Sequence, residues 1–125
     1  ADMTRQGMRE FGTKDLDFVV LENVGNLVCP AEFDTGASCN IMLLSVPEGD
    51  DKVLKYPLMF TVCDLLLVTK TDAQSLFDFD LEKLKTRVRQ LNPKMKVIPV
   101  CAKTGENMDE WISWLKETRE AFQNS

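Results

Sequence analysis

Four short aliphatic runs punctuate the chain, at residues 17–22, 41–46, 65–68 and 96–100, with polar loops and helix-forming stretches between them. Each run is nearly continuous in Val, Ile, Leu or Met. That pattern marks strands covered on both faces, as in a parallel sheet. The intervening stretches read as helices. Residues 2–11 place Met3, Met8 and Phe11 on one face, and Gly12 ends the helix. Residues 51–62 form a second helix, interrupted at Pro57. A third helix runs from Phe79 or Asp80 to Leu91, with Leu81, Leu84, Val88 and Leu91 at helical spacing, and Asn92-Pro93 stops it. The last, 108–122, turns Met108, Ile112, Leu115 and Phe122 inward, with Trp111 and Trp114 beside them as packing residues. Strands that alternate with helices imply an α/β fold: a parallel sheet, helices on its faces, and right-handed crossovers.

In open parallel sheets, ligands bind beyond the carboxyl ends of the strands. This chain puts polar segments there after every run: Glu22-Asn23-Val24-Gly25, Glu48-Gly49-Asp50-Asp51, Thr69-Lys70-Thr71-Asp72 and Cys101-Ala102-Lys103-Thr104. Several chemistries are excluded at that rim. The chain has no histidine, so imidazole triads, two-His metal sites and His general bases are absent from it. A net charge of -5 argues against a nucleic-acid binder held by phosphate neutralisation. No apolar run approaches the ~20 residues of a membrane span, and the start of the chain has no signal-peptide pattern. The four cysteines include no C-x-x-C pair. Reduced cytoplasmic thiols are therefore expected, with Cys63 and Cys101 as small core residues. Cys29 and Cys39 share one long loop and could share a metal, at an unspecific spacing.

The rim segments after the third and fourth runs carry the most chemistry. A carboxylate at Asp72, held edge-on to guanine, can accept from both N1–H and the 2-amino group; adenine offers no such donor pair. The aliphatic stem of Lys70 can lie over the purine while its ammonium stays wet. At the next strand end, small Ala102 lets its backbone N–H reach the guanine O6. Together these segments resemble the base-recognition motifs of G proteins, usually Asn-Lys-x-Asp and Ser-Ala-Lys. Thr69 stands where asparagine is usual and Cys101 where serine is. The threonine lacks an amide, which lowers the expected base affinity; the cysteine is neutral because the contact runs through the backbone of Ala102.

Glu22-Asn23-Val24-Gly25-Asn26-Leu27-Val28-Cys29-Pro30 narrows the resemblance. This string, with Ala31-Glu32-Phe33-Asp34, Leu44-Ser45-Val46, Glu48-Gly49-Asp50-Asp51-Lys52, Leu54-Lys55-Tyr56-Pro57, Leu91-Asn92-Pro93 and Ala102-Lys103-Thr104-Gly105-Glu106, is similar to the HypB family of hydrogenase nickel-incorporation GTPases. The resemblance covers residues 1–122. It implies GTP or GDP with Mg2+, binding of Ni2+ or Zn2+, dimerisation, and partners among the hydrogenase maturation proteins and the hydrogenase large subunit. It also implies roles. Glu22 would lie near Mg2+ and Gly25 would sense the γ-phosphate. Thr69, Lys70, Asp72, Cys101, Ala102 and Lys103 would form the guanine site, and Cys29 would be a metal ligand.

The family's P-loop, G-x-x-x-x-G-K-S/T, would cradle the phosphates, and this sequence does not contain it. The near match Gly7-Met8-Arg9-Glu10-Phe11-Gly12-Thr13-Lys14 reverses the last pair and precedes a strand instead of a helix. The expectation is a single incomplete G domain over residues 1–125, a partial P-loop-NTPase-like sheet without its first strand. It would be the C-terminal portion of a longer protein, and hydrolytically inactive alone. A sheet lacking that strand exposes an edge, which favours strand-swapped oligomers. Two alternatives stay open: a catalytically dead interaction module, and a metal-binding protein acting through Cys29 and Cys39. The runs Lys83/Lys85/Arg87/Arg89 and Glu106/Asp109/Glu110 read as solvated helix faces. Phe77 and Phe79 fit core or interface equally.

Overall fold

Three of the four aliphatic runs form strands where the sequence predicts them. A computed structural model of the chain describes residues 18–20, 22 and 38–123. Within these, β1 (Ile41–Ser45), β2 (Leu65–Thr69) and β3 (Lys96–Pro99) make a parallel sheet in the order β1-β2-β3. Ile41 pairs with Leu65, Ser45 with Thr69, and Val68 with Pro99. Central β2 is buried from Leu65 through Val68, as a strand covered on both faces must be. β1 alternates instead: Met42 and Leu44 are buried, whereas Leu43 is 61% exposed.

The helices follow local rules. Proline has no N–H and forces its predecessor out of the helical region. Tyr56 accordingly sits at φ −131°, ψ 59°, and the predicted helix splits into α1 (Lys52–Lys55) and α2 (Pro57–Val62). α3 (Leu81–Leu91) starts at Asp80, whose carboxylate accepts from the Lys83 N–H at 3.1 Å. Its end is tied by Asn92, whose amide donates to the carbonyls of Phe60 at 3.3 Å and Cys63 at 3.0 Å. α1, α2 and α3 cover one sheet face, over a core that includes Met42, Leu44, Phe60, Leu66, Val68, Leu84 and Val88. α4 (Met108–Gln123) covers the other, over Leu65, Leu67, Ile98 and Val100. Cys63 and Cys101 are buried, as their sequence setting implies, and Phe79 is core while Phe77 is exposed.

Three expectations need correction. Residues 17–22 do not form a strand where described: Phe18, Val19, Val20 and Glu22 are exposed and pair with none of the three strands. An apolar run becomes a strand only when a sheet edge receives its N–H and C=O groups, and neither edge of this sheet pairs with the described residues 18–20 and 22. On α4, the residues against the sheet are Met108, Trp111 and Trp114, while Ile112 is 45% exposed and Phe122 is also exposed. Both stripes have helical spacing; the one carrying two indoles buries more area. The indoles stack with centroids 6.0 Å apart. Finally, Arg87 is no solvated residue. It donates to the Asp50 carbonyl at 3.0 Å and lies 3.5 Å from the Asp50 carboxylate. The predicted helix 2–11 lies outside the described residues.

Candidate guanine-binding site

The rim at the carboxyl ends of the strands is organised by short-range hydrogen bonds. After β1, the Ser45 N–H and hydroxyl both donate to the Glu48 carboxylate, at 2.8 and 2.9 Å. This closes the turn Val46–Glu48. Asp50 then accepts from the Asp80 N–H at 2.7 Å. These rim carboxylates are committed to holding loops.

After β2 the chain reverses at Lys70, which has left-handed backbone angles of φ 59° and ψ 41°. A residue with a Cβ takes this conformation only where its surroundings require it. The Lys70 carbonyl accepts from the Ala73 N–H at 3.0 Å, opening a 3-10 turn over Thr71–Leu76. Thr69 and Thr71 are half-buried; Lys70 and Asp72 are exposed. The lysine and the carboxylate thus reach solvent from a fixed turn.

The segment after β3 is built as a small loop closed on itself. Val100 donates to the Val68 carbonyl at 2.7 Å, the last rung between the two strands. Cys101 is buried, its N–H donates to the Glu106 carbonyl at 3.1 Å, and its carbonyl accepts from the Gly105 N–H at 2.8 Å. Gly105 sits at φ 82° with open space where a Cβ would point, so glycine is required there for its backbone angle. Asn107, also left-handed at φ 57°, donates its amide to the Pro99 carbonyl at 3.0 Å. Ala102, Lys103 and Thr104 stand exposed at the tip.

A side-chain bond joins the two segments: the Thr71 hydroxyl donates to the Glu106 carboxylate at 3.1 Å. Among the described residues it is the one hydrogen bond between these loops. Sequence reasoning missed both residues. Glu106 was grouped with a solvated helix face, yet it precedes α4 and lies in the loop. Its signal was the two glycine-and-asparagine turn positions around it, Gly105 and Asn107, which separate it from the helix.

The predicted metal-side residues are Glu22, Gly25 and Cys29. Glu22 is exposed and in no regular element. Gly25 and Cys29 lie outside the described residues. No cluster of three or more Cys, Asp or Glu among the described residues is arranged to hold a metal ion. Burial pushes the Cys39 thiol up to about 12, helped by the adjacent Asp64 carboxylate, to which it donates a hydrogen bond. Burial likewise raises Cys63 to about 11.

A parallel sheet with helices on both faces and polar loops at adjacent strand ends is the arrangement of a nucleotide-binding α/β domain. Residues 1–99 match the CobW/HypB/UreG nucleotide-binding domain family, and the chain belongs to it. It is 46% identical over 121 residues to hydrogenase maturation factor HypB from Azotobacter chroococcum mcd 1, covering 97% of this chain and 40% of that protein. The crystal structure of HypB from Helicobacter pylori in complex with nickel superposes with a TM-score of 0.87 at 36% identity, covering 96% of this chain and 56% of that one. HypB from Archaeoglobus fulgidus gives a TM-score of 0.86 at 37% identity, covering 94% and 57%. The chain therefore spans well under two thirds of the length of these relatives. No helix among its described residues is long and apolar enough to cross a membrane.

Proposed function

We propose that this chain is the guanine-reading part of a GTP-binding nickel metallochaperone serving nickel–iron hydrogenase maturation in the cytoplasm. The bond from Thr71 to Glu106 carries this reading, because it draws together the two loops that a guanine base must touch. Asp72 accepts from N1–H and the 2-amino group, Lys70 covers the purine face, and the Ala102 N–H meets O6 beside Lys103. Thr69 and Cys101 hold the strand ends in the places of the usual asparagine and serine. The buried position of Cys101 supports a backbone role for that segment.

In the intact protein, Mg2+ would neutralise phosphate charge, with Glu22 near it and Gly25 at the γ-phosphate. Cys29 would offer one thiolate to Ni2+ or Zn2+ as cargo. Partners would be a second copy, hydrogenase maturation proteins and the hydrogenase large subunit. The 125 residues contain no P-loop motif, so binding without turnover is the expected behaviour of this chain alone.

Titration with guanosine and with adenosine tests the reading. The wild-type chain should prefer guanosine by at least about tenfold, because a site built on paired hydrogen bonds rejects a base lacking the donors. Asp72→Asn should abolish the preference. Equal affinity for both nucleosides in the wild type would overturn the proposal.

A further inference from the structure

We infer that Thr71 and Glu106 form a clasp that positions the base-reading loops, so that guanine selectivity depends on a pair of residues that need not touch the base. The inference rests on the guanine reading above. Thr71 directly precedes Asp72. Glu106 is bonded on two sides: its carboxylate accepts from Thr71, and its carbonyl accepts from the Cys101 N–H at 3.1 Å, directly before Ala102. The Glu106 N–H also meets the Thr104 hydroxyl at 3.4 Å across the loop tip. The clasp therefore links the residue before the carboxylate to the frame of the loop that presents the Ala102 N–H. Recognition of guanine by both groups needs them at a set separation, because the N1 and O6 edges are fixed in one rigid ring. A base contacted from one side alone keeps little of that discrimination. The strand ladder sets the roots of the loops through the rung from Val100 to Val68. Beyond it, the Thr71–Glu106 bond is the direct link among the described residues.

Glu106 and Thr71 act as positioning residues, and conservative variants separate positioning from bulk. Glu106→Gln keeps an acceptor oxygen, and Thr71→Ser keeps the donor. Thr71→Val keeps the shape without the donor, and Glu106→Ala removes the acceptor. Amide NMR titrations of the full 125-residue chain with guanosine, inosine and adenosine read the effect, and the ligand-free spectra verify folding.

The expected result is a guanosine-to-adenosine affinity ratio lowered roughly three- to tenfold in Thr71→Val and Glu106→Ala. Thr71→Ser and Glu106→Gln should stay within about twofold of wild type. The double variant should be no worse than either single, because both remove one bond. In the ligand-free protein, Glu106→Ala should shift the Asp72 amide and Thr71→Val the Ala102 amide. A selective wild type whose ratio is untouched by Thr71→Val and Glu106→Ala overturns this inference alone. So do ligand-free amides that stay in place across the loops, or additive losses in the double variant. A wild type indifferent to the base removes the guanine reading and this inference with it.

Discussion

Arg87 on α3 holds Asp50 twice, donating to its main-chain carbonyl at 3.0 Å and lying 3.5 Å from its carboxylate. The side chains are 19% and 17% exposed, so the pair is largely withdrawn from water. It fastens the loop after β1 to the helix before β3. Removing one member leaves a poorly solvated partner, which is worse than losing a surface ion pair. Arg87→Ala should lower stability by about 2 kcal/mol, measured by urea unfolding. Arg89→Ala, on the exposed side of the same helix, should stay within about 0.5 kcal/mol. Equal effects would mean that the link to Asp50 adds nothing.

The register of α4 predicts a contrast between neighbours. Trp111 and Trp114 pack on the sheet, and Ile112 does not. Both tryptophans are half-buried, so truncating either to alanine should cost about 2 kcal/mol, less than for a fully enclosed aromatic. Ile112→Ala should cost less than about 0.5 kcal/mol. Thermal melts of the three variants decide between this register and the stripe Met108, Ile112, Leu115, Phe122.

Cys39 and Cys63 make the fold sensitive to alkali. Their thiols are raised from 9.0 to about 12 and about 11, chiefly by burial and then by the Asp64 carboxylate. The folded chain thus holds protons that the unfolded chain releases first. The associated stability is full below the unfolded value of 9.0 and falls as pH rises from there towards the folded values. Urea midpoints should decline above about pH 9, and less steeply in Cys39→Ser. Asp64→Asn removes the charge but retains an acceptor for the Asn40 N–H, which donates to Asp64 at 2.8 Å. In that variant, iodoacetamide should modify Cys39 faster at pH 8.5; an unchanged rate would show that the carboxylate does not restrain the thiol.

The strand-sharing proposal places a second chain at β1. Among the described residues it pairs with β2 alone, and Leu43 is 61% exposed on it. Unpaired strand edges with apolar side chains invite a second chain. Light scattering should show mass rising with concentration, and Leu43→Lys should suppress the rise. A wild-type chain that remains a monomer throughout would contradict the strand-sharing expectation.

Much of the sheet was legible because β2 is buried on both faces and β1 and β3 lie beside it. For such strands the aliphatic run itself is the signal, and Leu65, Leu66 and Leu67 leave little ambiguity. Proline chemistry at Pro57 and the cap at Asp80 are local, so they too could be read directly. Partners distant in sequence could not. Arg87 and Glu106 look like ordinary members of charged runs until the fold brings Asp50 and Thr71 to them. Residues 18–20 and 22 differ for the complementary reason: their pattern states what the segment prefers, while strand formation also needs an edge to join. Candidate base-site residues were legible as a motif across two strand ends; the bond that ties those ends together was not.

The rung from Val100 to Val68 has a consequence for how such a domain can evolve. Both loops depart from neighbouring strands within a residue or two of that shared bond, so their mutual placement is inherited from the strands' common phase. Adding or deleting one amino acid just upstream of either loop would invert its side-chain parity and send it towards the opposite layer. Point substitutions at the rim therefore leave the placement of the two loops intact, whereas changes of strand length are closed to such a domain.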